Sequence, residues 1–208
     1  MKHLITLLCF ISFISNHPTL YAQEPQMVSD EVPSDYLTRN PIYDYNTNEL
    51  TNTDSIPDFE SKPDRLKITG TIYLSDGTTP AKDVILYIEQ PDEKGNYDMK
   101  TQDGKRYVHH RAWVKTDADG RYTFYTFMPG NYHRRGEYKH IHPVVKESGK
   151  EAYPLDAFLF DNDPSLSKYC RKRLAKKGID SILKVEEKNQ MLVATKNIVL
   201  KSDIPEYQ

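Results

Sequence analysis

The chain has 208 residues and a formal net charge of −2, with 28 basic residues against 30 acidic ones, which is material for one domain and a tail. No basic excess points to nucleic acid, and no second long apolar run points to a membrane. Tyrosine stands out at 15 residues, against 7 phenylalanines and 1 tryptophan, which suits a β protein and also supplies phenol oxygens as ligands.

The start, MKHLITLLCFISFISNHPTLYAQ, has a basic opening at Lys2, an apolar run from Leu4 to Ile14 and a small residue at Ala22. That is the plan of a secretory signal peptide, residues 1–22, and the run is too short for a permanent anchor. The bulky Leu8 before Cys9 argues against a lipid-modified cysteine. Cleavage after Ala22 removes Lys2, so the charge moves from −2 to −3, and it leaves Cys170 as the one cysteine. The mature protein is therefore expected in the periplasm or the medium, held by core packing or a metal rather than by an internal disulfide.

Residues 23–64 are polar, are broken by Pro25, Pro33, Pro41, Pro57 and Pro63, and show no sustained period. They predict an extended arm or linker, part of which can wrap over the domain. The ordered part is expected from Arg65. Leu66, Ile68, Ile72 and Leu74 alternate with polar residues, and Val84–Ile88 makes a second strand after the Asp76-Gly77 turn. Trp113-Val114 leads into the turn Thr116–Gly120, and Tyr122, Phe124 and Thr126 alternate beyond it. Further strands are predicted at His140–Val145, Phe158–Phe160, Met191–Thr195 and Asn197–Leu200. One helix interrupts them, with Asp163 as N-cap, Pro164 in the first position and Gly178 as its stop. Its basic side chains, Lys168 to Lys177, read as a solvated face. The fold class is all-β: an antiparallel β-sandwich over residues 65–208, with one short helix near the C-terminus.

Two families share the pattern GTIYLSDGTTPAKDVILYI followed by VKTDADGRYTFYTFMPGNY. One is the transthyretin-like (prealbumin-like) regulatory sandwich, which has no chemistry of its own. The other is the intradiol ring-cleavage dioxygenases, of the catechol 1,2-dioxygenase and protocatechuate 3,4-dioxygenase kind, which add two tyrosines and an H-x-H pair. GNYDMK supplies Tyr97, PGNY supplies Tyr132, and KHIHPVV supplies His140 and His142. In the order G-x-Y, TDxxGxYxF, PGxY, H-x-H, the stretch from about Leu66 to about Phe160 resembles the dioxygenases. The resemblance implies a non-haem Fe(III) centre held by Tyr97, Tyr132, His140 and His142. It also implies a catechol-type substrate and O2 as reactants, cleavage between the two hydroxylated carbons, and a muconate-type diacid as product. Tyr132 would leave the iron when substrate binds and take up a substrate proton. A homodimer is common among such relatives.

Elementary chemistry agrees with that ligand set. Residues i and i+2 of a strand share a face, so His140 and His142 can meet one ion. A bound cation favours the phenolate form of tyrosine, and ferric iron, a hard acid, prefers that oxygen. His109-His110 are set aside, because neighbours on a strand point to opposite faces. The pattern departs from the better-known members at two places. Glu137 stands where they have arginine three residues before the first histidine, and Ala157 where they have glutamine. Arg135, in the adjoining loop, is the candidate to replace the missing arginine as a catalytic cation. Three readings follow: a dioxygenase, a non-catalytic binding sandwich that keeps the metal residues, and a structural domain whose arm pairs with another chain.

Overall fold

The computed structural model describes residues 33–46, 48–131 and 136–203. The signal peptide expected at 1–22, the first part of the arm at 23–32, and Tyr132 and Arg135 lie outside them. In chain order the elements are β1 (Thr53–Ser55), β2 (Arg65–Tyr73), β3 (Ile85–Glu89), β4 (Met99–Gln102) and β5 (Lys105–Val108). Then come β6 (Arg111–Lys115), β7 (Arg121–Phe127), β8 (His140–Lys146), β9 (Tyr153–Pro154) and β10 (Phe158–Phe160). Helix α1 (Lys168–Lys176) precedes β11 (Ile182–Leu183), β12 (Val185–Lys188), β13 (Met191–Thr195) and β14 (Ile198–Val199). Among the described residues no helix is long and apolar enough to cross a membrane.

The strands form a sandwich of two sheets. The first runs β1-β7-β2-β13-β12, with β14 also on β2, and the second runs β11-β10-β8-β3-β6, with β9 on β8. Alternation builds the core between them. Leu66, Ile68 and Ile72 of β2 and Tyr122 and Phe124 of β7 meet Leu86, Ile88, Val114, Ile141, Val145, Phe158 and Phe160 from the second sheet. The central pairings β2·β7, β3·β6 and β3·β8 are antiparallel. The sheets are not antiparallel throughout: β13 and β14 join β2 in parallel, β1 joins β7 in parallel, and β11 joins β10 in parallel. Each of those parallel partners reaches its place through a long connection rather than a hairpin.

Two expectations from the sequence change. Part of the stretch read as an arm belongs to the sandwich: Thr53–Ser55 form β1, Ile56 joins the main core, and Ile42 is fully buried. Three of its groups hold it down. Trp113 Nε1 donates to Pro41 O at 3.0 Å, the Trp113 backbone N donates to Asp54 Oδ2 at 2.9 Å, and Lys105 Nζ pairs with Asp44 Oδ2 at 2.7 Å. A polar, proline-broken segment hides such contacts, because its few apolar residues have no period. The helix also starts later than Pro164. Asp163 Oδ1 accepts from Ser165 N and Oδ2 from Lys139 N, both at 2.8 Å, so this carboxylate closes a separate turn. Ser167 is the N-cap, accepting from Cys170 N, and Gly178 at φ 71° ends the helix in the left-handed region. Its basic face is not wholly solvated: Arg171 donates to Leu166 O and Asp161 O.

One close contact fixes the loops above the second sheet. Asp92 Oδ1 accepts from Lys94 N and Asn96 N, both at 2.8 Å, folding residues 92–96 into a tight turn. Gly130 N donates to Asp92 O at 2.8 Å, and a Cβ on Gly130 would lie 2.4 Å from Glu93 O and 2.5 Å from Gly95 N. Only glycine lets the two backbones approach this far. Gly130→Ala is therefore expected to destabilise the fold by about 1–3 kcal/mol, read as a lower urea midpoint at unchanged slope.

Two surface turns set the behaviour in acid. Asp76 accepts from Thr79 Oγ1, Thr79 N and Thr78 N, which hold its carboxyl down at about 2. The backbone N–H of Arg121 and the Asn52 amide likewise hold Asp117 below the usual carboxylate range. A carboxyl whose folded pKa lies below its unfolded value adds stability above about pH 4 and loses it as pH falls through the folded value. Thermal stability should accordingly fall between about pH 4 and pH 2, and Asp76→Asn should flatten that decline.

Candidate metal centre

The burial of Ile141 decides which way β8 faces. Ile141 is fully buried in the core, so its neighbours His140 and His142 project from the opposite, outer face of the second sheet. His142 lies across from Glu89 of β3 and His140 across from Leu159 of β10. The turn closed by Asp92 then delivers Tyr97 over the same face.

The three side chains meet there. Tyr97 Oη stands 3.0 Å from His140 Nε2, and the rings of His140 and His142 are 4.6 Å apart. Tyr97 stacks on His142 with ring centroids 6.4 Å apart. His140 Nδ1 lies 2.6 Å from Tyr138 O, and a carbonyl can only accept, so Nδ1 carries the proton. The Nε2 lone pair of the neutral ring is then turned toward Tyr97, whose hydroxyl donates to it. A backbone acceptor on one nitrogen is the arrangement that orients an imidazole for a metal on the other.

Burial and two acidic neighbours set the electrostatics of the centre. Burial pushes the Tyr97 phenol up to about 12, and the carboxylates of Glu89 and Glu137 add to the rise. Packed protein atoms hold His142 below the usual imidazole value, and His140 adds to this while Glu137 opposes it. Two donors each about 2 Å from one ion, at right angles, stand about 2.8 Å apart, close to the 3.0 Å observed between Tyr97 and His140. The donor set, one hard oxygen and two imidazole nitrogens, fits iron.

These residues line a cavity of about 460 Å³ together with Glu137, Tyr138, Ala157 and Leu159. Glu137 and Ala157, the two departures from the dioxygenase pattern, therefore both reach the site. Tyr138 is held at its far end, where its hydroxyl lies 3.0 Å from Cys170 Sγ. No lysine or arginine lines the cavity among the described residues.

A second cluster was set aside by the strand argument. His109 and His110 are not in a strand but in the bend between β5 and β6. The bend puts both rings near Asp58: His109 Nε2 is 3.1 Å from Asp58 Oδ2 and His110 Nε2 is 3.9 Å from it. One donor atom from each of the three lies within 4.8 Å of the others. Sequence could offer only the doubled histidine as a signal, since Asp58 is 51 residues from His109.

No protein-family model matches the sequence, and neither does any curated protein sequence. Solved structures do match the fold. The dioxygenase domain of a dioxygenase and carbohydrate-binding fusion from Streptomyces sp. SirexAA-E is similar with a TM-score of 0.56 and 22% identity, over 76% of this chain and 92% of that one. The intradiol ring-cleavage dioxygenase of Tetranychus urticae is similar with a TM-score of 0.52 and 21% identity, over 74% of this chain and 89% of that one. Catechol 1,2-dioxygenase of Acinetobacter radioresistens gives 0.53 and 17%, over 76% of this chain, which spans 60% of that longer enzyme. The sandwich with its long-range pairings, its short helix and its H-x-H strand thus has the fold of the intradiol ring-cleavage dioxygenases.

Proposed function

We propose that the chain is an exported non-haem Fe(III) dioxygenase that cleaves a catechol-type ring between its two hydroxylated carbons. The observation that carries this reading is the convergence of Tyr97 Oη and His140 Nε2 at 3.0 Å, beside His142, in a cavity of about 460 Å³. Tyr97, His140 and His142 would hold the iron, and Tyr132, from the Pro129-Gly130 turn, would complete the set. Ferric iron, when bound, would draw electron density from the catechol and so ready a ring carbon for O2. One O2 added to one catechol accounts for every atom of the muconate-type diacid.

The protein's own groups supply the rest. Tyr97 keeps its proton in the absence of a cation, as any phenol does at neutral pH and the more so with burial raising it to about 12, so loading must release that proton. His140 is oriented by the Tyr138 carbonyl and presents Nε2 alone. Tyr138, Ala157 and Leu159 form the wall against which an aromatic ring would lie. Tyr132, released from the metal, would accept a substrate proton as a general base. Arg135 would stabilise negative charge on the ring, the task of the arginine that Glu137 replaces. A non-catalytic sandwich is the second reading, favoured by Glu137 and Ala157 lining the cavity where the dioxygenase pattern has arginine and glutamine. The signal-peptide plan of residues 1–22 supports export to the periplasm or the medium.

Residues 23–208 purified with iron should show a broad visible tyrosinate-to-iron band that shifts on adding catechol. Tyr97→Phe and His142→Ala should lose most of it, and a folded, iron-loaded protein with no visible band would overturn the reading. Turnover separates the two readings: Arg135→Leu should keep the colour and lower kcat by at least about ten-fold, or about 1.4 kcal/mol of barrier. A coloured wild-type protein that consumes no O2 with any catechol would leave the binding sandwich.

A further inference from the structure

The bend between β5 and β6 buries an imidazole that the protein itself does not satisfy. His110 is 3% exposed, its Nδ1 has no hydrogen-bond partner, and its Nε2 lies 3.9 Å from Asp58 Oδ2, beyond hydrogen-bond reach. An ion on Nε2 would leave Nδ1 as it is, so it is the gathering of three donor residues around this buried ring that points to a site. His109 stands on the other side of the same carboxylate, with its Nε2 at 3.1 Å, and the two rings are 5.2 Å apart. Asp58 is itself held at φ 66°, a left-handed conformation uncommon outside glycine, asparagine and aspartate, and its side chain remains half exposed.

We infer that Asp58, His109 and His110 form a divalent-metal site, of the zinc class, separate from the centre at Tyr97, His140 and His142. Two imidazole nitrogens and one carboxylate are a donor set that zinc takes, with a fourth position left to water. Ligand atoms about 2.0–2.1 Å from one tetrahedral ion stand about 3.3 Å apart, and the separations of 3.1 and 3.9 Å bracket that value. The donor atoms of all three residues lie within 4.8 Å of one another, so the rings must rotate to close on an ion. The surrounding charge permits it. Asp58 and Asp98 are the acidic neighbours, Asp98 being paired with Lys100 at 3.1 Å, and the cation Lys62 is paired with Glu93 at 3.0 Å. Phe127 seals the inner side, edge-on to His110 at 5.0 Å.

The position gives the site a task. Asp58 belongs to the N-terminal segment that follows β1, whereas His109 and His110 follow the β4–β5 hairpin. The His109 backbone N donates to Asp98 O at 2.8 Å, one residue beyond Tyr97. An ion here would clip the N-terminal segment to the loop that carries Tyr97. It would act as a structural staple, and the ion would stabilise the folded state in proportion to its occupancy.

The test uses residues 23–208 without iron, with zinc chloride as the probe and cobalt(II) as its spectroscopic substitute. Zinc should raise Tm by several degrees with about one ion per chain, and cobalt should give the visible bands of a low-coordinate site. Asp58→Asn and His109→Gln should weaken zinc binding by at least about ten-fold and abolish the rise in Tm, while His142→Ala leaves both within about two-fold. Asp58→Asn is nearly isosteric and half exposed, so it keeps the test valid if a histidine variant does not fold. Zinc binding unchanged in both Asp58→Asn and His109→Gln would overturn the assignment, as would its loss in His142→Ala alone. Colour with ferric iron reads the other centre, so either assignment can fail while the other stands.

Discussion

The candidate centre depends first on the burial of one isoleucine. Ile141 fills the core between the sheets, and burying such a side chain is worth about 1.5–3 kcal/mol. A slip of one residue in β8 would expose it and turn both His140 and His142 into the core, where two unpaired imidazoles would add their own desolvation cost. Pairing on both sides, with β3 and β10, locks the register against that slip. The outward aim of the two histidines is therefore a by-product of core packing, and it is as robust as the core itself.

The outer face on which they stand is divided. Toward its lower half, Tyr87 and Trp113 are covered by Ile42 and the short 3-10 turn Pro41–Tyr43, with the Trp113 indole bonded to Pro41 O. Toward the other half, Tyr97 and the loop of residues 136–139 leave a cavity open. Glu89 sits at the border, accepting from the Tyr87 hydroxyl at 2.6 Å while its charge bears on Tyr97. The segment before β2 thus covers the part of this face that the cavity does not occupy, and none of its described residues lines the cavity. It does so through a few anchored side chains, without a regular element longer than three residues among its described residues.

Much of this was legible in the sequence where physics is local. Two-residue alternation exposes β2, β7 and β8, and the same alternation places His140 and His142 together. Tyr97 was legible through its turn chemistry and its place in a family pattern. What was not legible needed information from far along the chain. The parallel pairing of β13 with β2 joins residues more than a hundred positions apart, and no local period announces it. Asp163 looked like a helix cap because its chemistry suits one, but Lys139 N, in the β8 approach, competes for the same carboxylate. His109-His110 were dismissed by a strand rule applied to residues that form a bend. In each case a correct local rule lost to a partner distant in sequence.

The chemistry of the centre turns on a competition between a proton and a cation for the same two atoms. With no cation, the Tyr97 proton bridges to His140 Nε2, and burial with two nearby carboxylates raises the phenol further above the range where it ionises at neutral pH. Burial would count against a cation as well as against the phenolate, but the carboxylates of Glu89 and Glu137 would attract one. Tyr97 Oη and His140 Nε2 would be the atoms to hold it, the other imidazole nitrogen being engaged by the Tyr138 carbonyl. A purely structural tyrosine on a sheet face would be expected to send its hydroxyl to water. This one donates to an imidazole whose other nitrogen is already engaged, an arrangement that places a phenol oxygen and an imidazole nitrogen at the spacing one cation would need.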